Sequence, residues 1–86
     1  MSKIEKLIQR LAGYPKDFSY EELRRILKYF GYEEVKPGKT SGSPVAFYRE
    51  ETEHIIRLHK PHPKPILKEY QIQFLIEELK NQKLIK

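Results

Sequence analysis

The stretch Gly38–Pro63, GKTSGSPVAFYREETEHIIRLHKPHP, decides how this chain folds. It opens on a turn of small and hydroxyl-bearing residues, Gly38 to Ser43, and then alternates. In Pro44–Arg49, Val45 and Phe47 share one face while Ala46 and Tyr48 share the other. In His54–His59, Ile56 and Leu58 face one way and Ile55, Arg57 and His59 the other. Glu50, Glu51 and Thr52 between the two runs read as a hairpin loop, so the strands are predicted to pair antiparallel. The face that meets the rest of the protein has to be the apolar one. Arg57 and His59 are therefore expected on the opposite, wetter face.

Toward the N-terminus, Tyr32–Lys36 reads as a short first strand with Val35 inward, closed by Pro37 and Gly38. Before it the period is helical. Ser19 with Glu22 makes a capping box, Leu23, Ile26, Leu27 and Phe30 form an apolar stripe, and Gly31 stands where a left-handed cap belongs. Ser2 with Glu5 repeats the box, and Ile4, Leu7, Ile8 and Leu11 predict a first helix ending near Ala12. Between these helices Pro15 pushes Tyr14 out of the helical region, and the aromatics Tyr14 and Phe18 can pack back on the core.

Toward the C-terminus, Pro61, His62, Pro63, Lys64 and Pro65 predict a stiff exposed connector, because proline lacks the donor that a strand or helix needs. The helical period returns at Ile66 or Leu67. Leu67, Tyr70 and Phe74, with Ile72, Leu75, Ile76 and Leu79, give that helix a broad apolar surface. Lys80, Lys83 and Lys86 at its end complement the helix dipole and need no ligand. The order α-α-β-β-β-α predicts a two-layer α+β domain, a three-stranded antiparallel sheet with helices on one face.

With 86 residues the chain is one domain, 1–86. A domain this small buries only about 60% of its unfolded surface, so a permanent partner protein would help it. A hydrophobic fraction of 38% with four Phe and six Tyr supports a packed core rather than a disordered chain. Seventeen Lys and Arg against twelve Asp and Glu leave a net charge of +5, a balance that favours polyanions. The absence of cysteine excludes a disulfide framework and a thiolate zinc site. No apolar run is long enough for a membrane span or signal peptide, so the expectation is a cytoplasmic protein.

The run Leu58–Pro63 holds two of the three histidines, His59 and His62, with Arg57, Lys60 and Lys64 beside them. Imidazole titrates near neutral pH and can move a proton at a 2′-hydroxyl, so this cationic group suggests RNA. Cleavage without a metal requires a base, an acid and a cation for the developing charge, and these residue types are present. His59 and His62 are the candidate catalytic pair, and Arg57, Lys60 and Lys64 the candidate phosphate contacts. Lys39 and Ser43 in the Gly38–Ser43 turn are further phosphate candidates, although the spacing is not that of a P-loop. A solvated basic loop accounts for the same residues. Two imidazoles and Glu53 lack metal-ligand spacing, so no metal or other cofactor is expected. His54, next to Glu50, Glu51 and Glu53, reads as a charge-paired surface histidine. Tyr48 either stacks on a base or packs across the strands on Ile55.

Pro15, Lys16, Asp17, Phe18, then Glu22, Leu23, Leu27, Gly31 and Tyr32, then Gly38 to Ser43, resemble the HicA family of bacterial toxins, the RNA-cleaving partners in HicA–HicB toxin–antitoxin pairs. Leu58 to Pro63, followed by Leu67, Lys68, Tyr70 and Gln71, completes the likeness, which extends over nearly the whole chain. The resemblance is to the branch with an added N-terminal helix, here residues 1–18 with the core at 19–86. It implies a fold like a double-stranded-RNA-binding domain, metal-free mRNA cleavage, and inhibition by a HicB-like antitoxin. Typical family members place a catalytic histidine directly after the Gly–Ser pair, related members of this branch often carry arginine there, and here that position is Pro44. Proline cannot move a proton. Either His59 or His62 takes over, or the protein binds RNA without cutting, or it serves only as an antitoxin's partner.

Overall fold

The computed structural model describes residues 2–35, 44–61 and 63–85. Three helices, α1 (Lys3–Ala12), α2 (Tyr20–Tyr29) and α3 (Glu69–Asn81), accompany three strands, β1 (Tyr32–Val35), β2 (Pro44–Arg49) and β3 (His54–His59). The sheet is antiparallel in the order β1-β2-β3. The chain is thus an α+β fold with the expected element order.

Both N-terminal caps form, with one difference. At α2 the Ser19 hydroxyl accepts from Glu22 N–H (3.1 Å) and the Glu22 carboxylate accepts from Ser19 N–H (2.9 Å), which satisfies two donors that the first turn leaves open. At α1 the Ser2 hydroxyl accepts from Glu5 N–H (3.3 Å), but the Glu5 carboxylate accepts from that same hydroxyl rather than from the backbone. Arg10 ties the two helices together, reaching Glu22 at 2.7 Å and Asp17 at 2.5 Å across the connector. Tyr14 does leave the helical region, at φ +56°, but its ring is exposed. Of the two connector aromatics only Phe18 packs into the core.

One core lies between the helices and the inner face of the sheet. Leu11, Leu23, Ile26, Leu27, Leu75 and Leu79 supply the helical side, and Tyr32, Val45, Phe47, Ile56 and Leu58 the sheet side. The alternation in β2 and β3 is as the sequence predicts, with Arg57 and His59 exposed on the far face. In β1 the parity is opposite to the expectation. Tyr32 is buried and Val35 is 47% exposed, because Tyr32 follows Gly31 directly into the core and a residue three places on must point the other way.

Gly31, at φ +95°, makes that entry possible. The Arg49 guanidinium then donates from Nε to the Phe30 carbonyl at 2.7 Å, satisfying an acceptor at the end of α2 from the end of β2. The connector after β3 is exposed at Pro63, Lys64 and Pro65, as expected, but its two ends are tied to the domain. Pro61 is buried, Ile66 forms an isolated antiparallel bridge with Ser19, and Phe18 and Pro65 carbonyls accept from Leu67 and Tyr20 N–H groups. A proline can still accept in a ladder, which is how Pro65 takes part. The last helix starts at Glu69, later than its apolar period suggests, with Leu67 buried ahead of it.

Candidate nucleic-acid interface

His59 ends β3, and its cross-strand partner is Pro44. Directly opposed residues on one face hold their Cβ atoms about 4.5–5.5 Å apart, so the imidazole stands over the position that Pro44 fills. Two residues back on the same face, Arg57 is paired with Ala46, and Ala46 with Val35. The result is a small-residue floor with a guanidinium and an imidazole rising at its β3 side. A hollow of about 340 Å³ lies there, lined by Pro44, Val45, Ala46, Arg57, Leu58 and His59.

A second hollow, about 260 Å³, opens on the other side of the same strand. Arg57, Leu58 and His59 form its β3 wall and Tyr70, Gln71 and Phe74 its α3 wall. The helix runs antiparallel beside the strand, with Gln71 at the level of His59 and Glu78 at the level of His54. Gln71 is the one buried polar side chain among the described residues. Its Nε2 donates to the His59 carbonyl (2.8 Å) and its Oε1 accepts from Lys68 N–H (2.9 Å). The His59 carbonyl therefore points away from β2, toward the free edge of the sheet, and Gln71 covers it. One side chain both starts α3 and anchors the end of the strand that carries His59.

The other candidates are distributed differently. Lys60 turns to the helix side, its Nζ 5.3 Å from the centre of the Tyr20 ring, and so does not join Arg57 and His59. Lys64 is exposed in the connector. Lys39, Ser43 and His62 lie outside the described residues. A separate hollow between α2 and β1 gathers Arg24, Arg25 and Lys28, but Glu21, Glu33 and Glu34 line it too, so its cations are offset. Among the described residues no group of three or more His, Cys, Asp or Glu is arranged to hold a metal ion. No described helix is long and apolar enough to cross a membrane.

His54 is not the surface histidine that its acidic neighbours suggest. Its ring is half-buried between Tyr32 and α3, with Nδ1 2.6 Å from the Tyr32 hydroxyl and Nε2 3.3 Å from Glu78. Burial, opposed by the Arg49 cation and aided by the Glu78 carboxylate, holds the Tyr32 phenol above its ordinary pKa. The phenol hydroxyl and Nδ1 share one hydrogen bond, and Nε2 on the other side of the ring faces Glu78. This chain clamps α3 to the sheet and is spent internally. Tyr48 is half-buried on the outer face beside Ile55, its cross-strand partner, as the packing alternative expects.

The sequence offers Gln71 only as part of the family likeness and assigns it no role, although Lys68-x-x-Gln71 has the three-residue spacing of a capping box and is the available signal. The helical period puts Tyr70 and Phe74 on a broad apolar surface without locating it. They prove to be the exposed part of it, 62% and 40% accessible, against the buried Ile72, Leu75, Ile76 and Leu79.

Neither the curated proteins nor the solved structures contain a significant match to this chain. The family model for the HicA toxin of bacterial toxin–antitoxin systems matches residues 20–80, from the first residue of α2 almost to the end of α3, with α1 preceding it as an addition. A match that takes in the whole sheet and two of the three helices places the chain in that family: it belongs to the HicA toxins.

Proposed function

We propose that this HicA toxin is an mRNA endoribonuclease that works without a metal, with His59 in the catalytic role that Pro44 cannot fill, and that a HicB-like antitoxin neutralises it. The observation that carries this reading is the pairing of His59 with Pro44, which puts an imidazole on the same face and within one cross-strand spacing of the family's histidine position. His59 acts as the base that removes the proton of a ribose 2′-hydroxyl. The resulting oxyanion attacks the adjacent phosphorus, and the bond from phosphorus to the 5′-oxygen of the next nucleotide breaks. His62 returns a proton to that leaving oxygen, which gives a 2′,3′-cyclic phosphate and a free 5′-hydroxyl. Arg57 stabilises the charge that builds on the phosphoryl oxygens, with Lys39, Ser43 and Lys64 as further contacts to the RNA; Lys60, turned toward Tyr20, is left out of that set.

The test is incubation of the purified protein with a transcript in the presence of a chelator, with product ends analysed. Wild type is expected to give cyclic-phosphate ends. His59→Ala should lose about 10²-fold or more in rate, the usual loss for a general base. Pro44→His, which restores an imidazole to an exposed strand end, should cleave at least as fast as wild type. Undiminished cleavage in a His59→Ala, His62→Ala double variant overturns the assignment. The same surface also supports a second reading, RNA binding without cleavage, because Pro44 removes the family's usual proton carrier while Arg57 remains in place. Salt-sensitive binding with intact RNA would select it.

A further inference from the structure

We infer that Tyr70 and Phe74 form a base-stacking subsite for single-stranded RNA alongside His59, an inference that rests on the RNA-binding reading of that site. The two rings are four residues apart on α3, about 6 Å along the axis, and both overhang the groove whose opposite wall is Arg57 and His59. They are the two exposed apolar side chains of α3, and every other apolar residue of that helix is buried. Neither ring is engaged by another aromatic ring among the described residues.

The composition of the groove selects the ligand. A flat apolar ring beside a guanidinium is the pairing that a nucleotide needs, with a π-face for the base and a cation for the phosphate. No carboxylate lines the groove, so nothing there repels a polyanion. A base can reach these rings only when it is out of a duplex, because paired bases hide their faces in the stack. The subsite therefore takes an unpaired nucleotide flanking the phosphate held near Arg57 and His59. An RNA helix would meet the rings with its backbone and gain nothing from them.

The experiment measures binding of a fluorescently labelled, fully 2′-O-methylated oligonucleotide, which cannot be cut, as a single strand and as a duplex. Tyr70→Ala and Phe74→Ala are each expected to weaken single-strand binding about 5- to 100-fold. Tyr70→Phe should stay within about twofold of wild type, since the ring is kept. Because stacking releases no counterions, the alanine variants should keep the wild-type dependence on salt, whereas Arg57→Ala should flatten it. Tyr70 is 62% and Phe74 40% exposed, so both alanine variants should remain folded at the assay temperature, and a thermal melt of each separates lost binding from lost folding. If both alanine variants bind the single strand like wild type, the subsite is refuted and the RNA reading stands. If they keep RNA affinity but lose a co-expressed HicB-like protein, the rings are a protein-docking surface and the subsite is likewise refuted. If wild type binds neither strand nor duplex, the RNA reading itself fails.

Discussion

Replacing Gln71 with leucine is the change that most directly probes how the fold holds His59. The side chain is 4% exposed and makes two hydrogen bonds, accepting from Lys68 N–H at 2.9 Å and donating to the His59 carbonyl at 2.8 Å. Leucine is of similar size, so the substitution deletes both bonds without opening a large cavity. At about 0.5–1.5 kcal/mol net per bond, the expected loss is about 1–3 kcal/mol. Lys68 and His59 are themselves exposed, so water can reach part of what is uncovered, and the full penalty for two orphaned buried groups does not apply. In a domain of this size that loss lowers Tm by roughly 5–20 °C. Gln71→Glu keeps the acceptor for Lys68 but sets a carboxylate against the His59 carbonyl. It should be destabilised at neutral pH and recover as the pH falls and the carboxyl becomes a donor. Gln73→Leu, at an exposed position of the same helix, should change stability by no more than about 0.5 kcal/mol. Urea melts and amide hydrogen exchange at the end of β3 provide the readout. A Gln71→Leu protein as stable as its parent, with unaltered exchange at residues 58–60, would show that Gln71 does not anchor the strand.

Two further outcomes follow from the caps. Burial acts to raise the Glu22 pKa, but the Ser19 backbone bond, Arg10 and the Ser19 hydroxyl outweigh it and hold the carboxyl below its ordinary value of 4.5. A depressed folded-state pKa means that the stabilisation is present above the unfolded value and disappears as pH falls through the folded one. Wild type should therefore lose this stabilisation as the pH falls below 4.5, and Glu22→Gln, already lacking it at neutral pH, should show a flatter acid limb in urea melts. Gly31→Ala should cost about 1–2 kcal/mol. An added Cβ would meet Arg49 Nε at an ordinary 3.6 Å, so the cost comes from the backbone at φ +95° rather than from a clash, and the urea midpoint should fall with the m-value unchanged.

Membership of a family narrows the chemistry without placing it. The geometry on which the proposed chemistry rests is on β3, where one strand end carries His59 on its outer face, Arg57 two residues before it, and a carbonyl tied to α3 through Gln71. The RNA reading and the stacking subsite both depend on this edge, so substitutions at Gln71 and at Tyr70 bear on the same site from opposite sides. One alters where the strand end sits, and the other alters what the groove can hold.

Read alone, the sequence determined whatever is written in local order. The twofold alternation of Pro44–Arg49 and His54–His59 sorted inner from outer residues, and Ser19, Glu22 and Gly31 marked both ends of α2. Those signals are local because they depend on neighbours two to four positions away. The tertiary structure decided the questions that local order leaves balanced. Tyr32-Glu33-Glu34-Val35 has an apolar residue at each end of an even-length strand, so only one can face inward, and it is Tyr32, which enters the core directly after Gly31 and meets His54 there. Lys60 went to Tyr20 and not to Arg57 because side chains alternate across a strand that leaves the sheet at His59. His54 found its carboxylate on α3, 24 residues away, rather than in the adjacent loop, and Gln71 reached a carbonyl 12 residues back. Such partners are chosen by packing in three dimensions, where distance along the chain has no bearing on which groups meet.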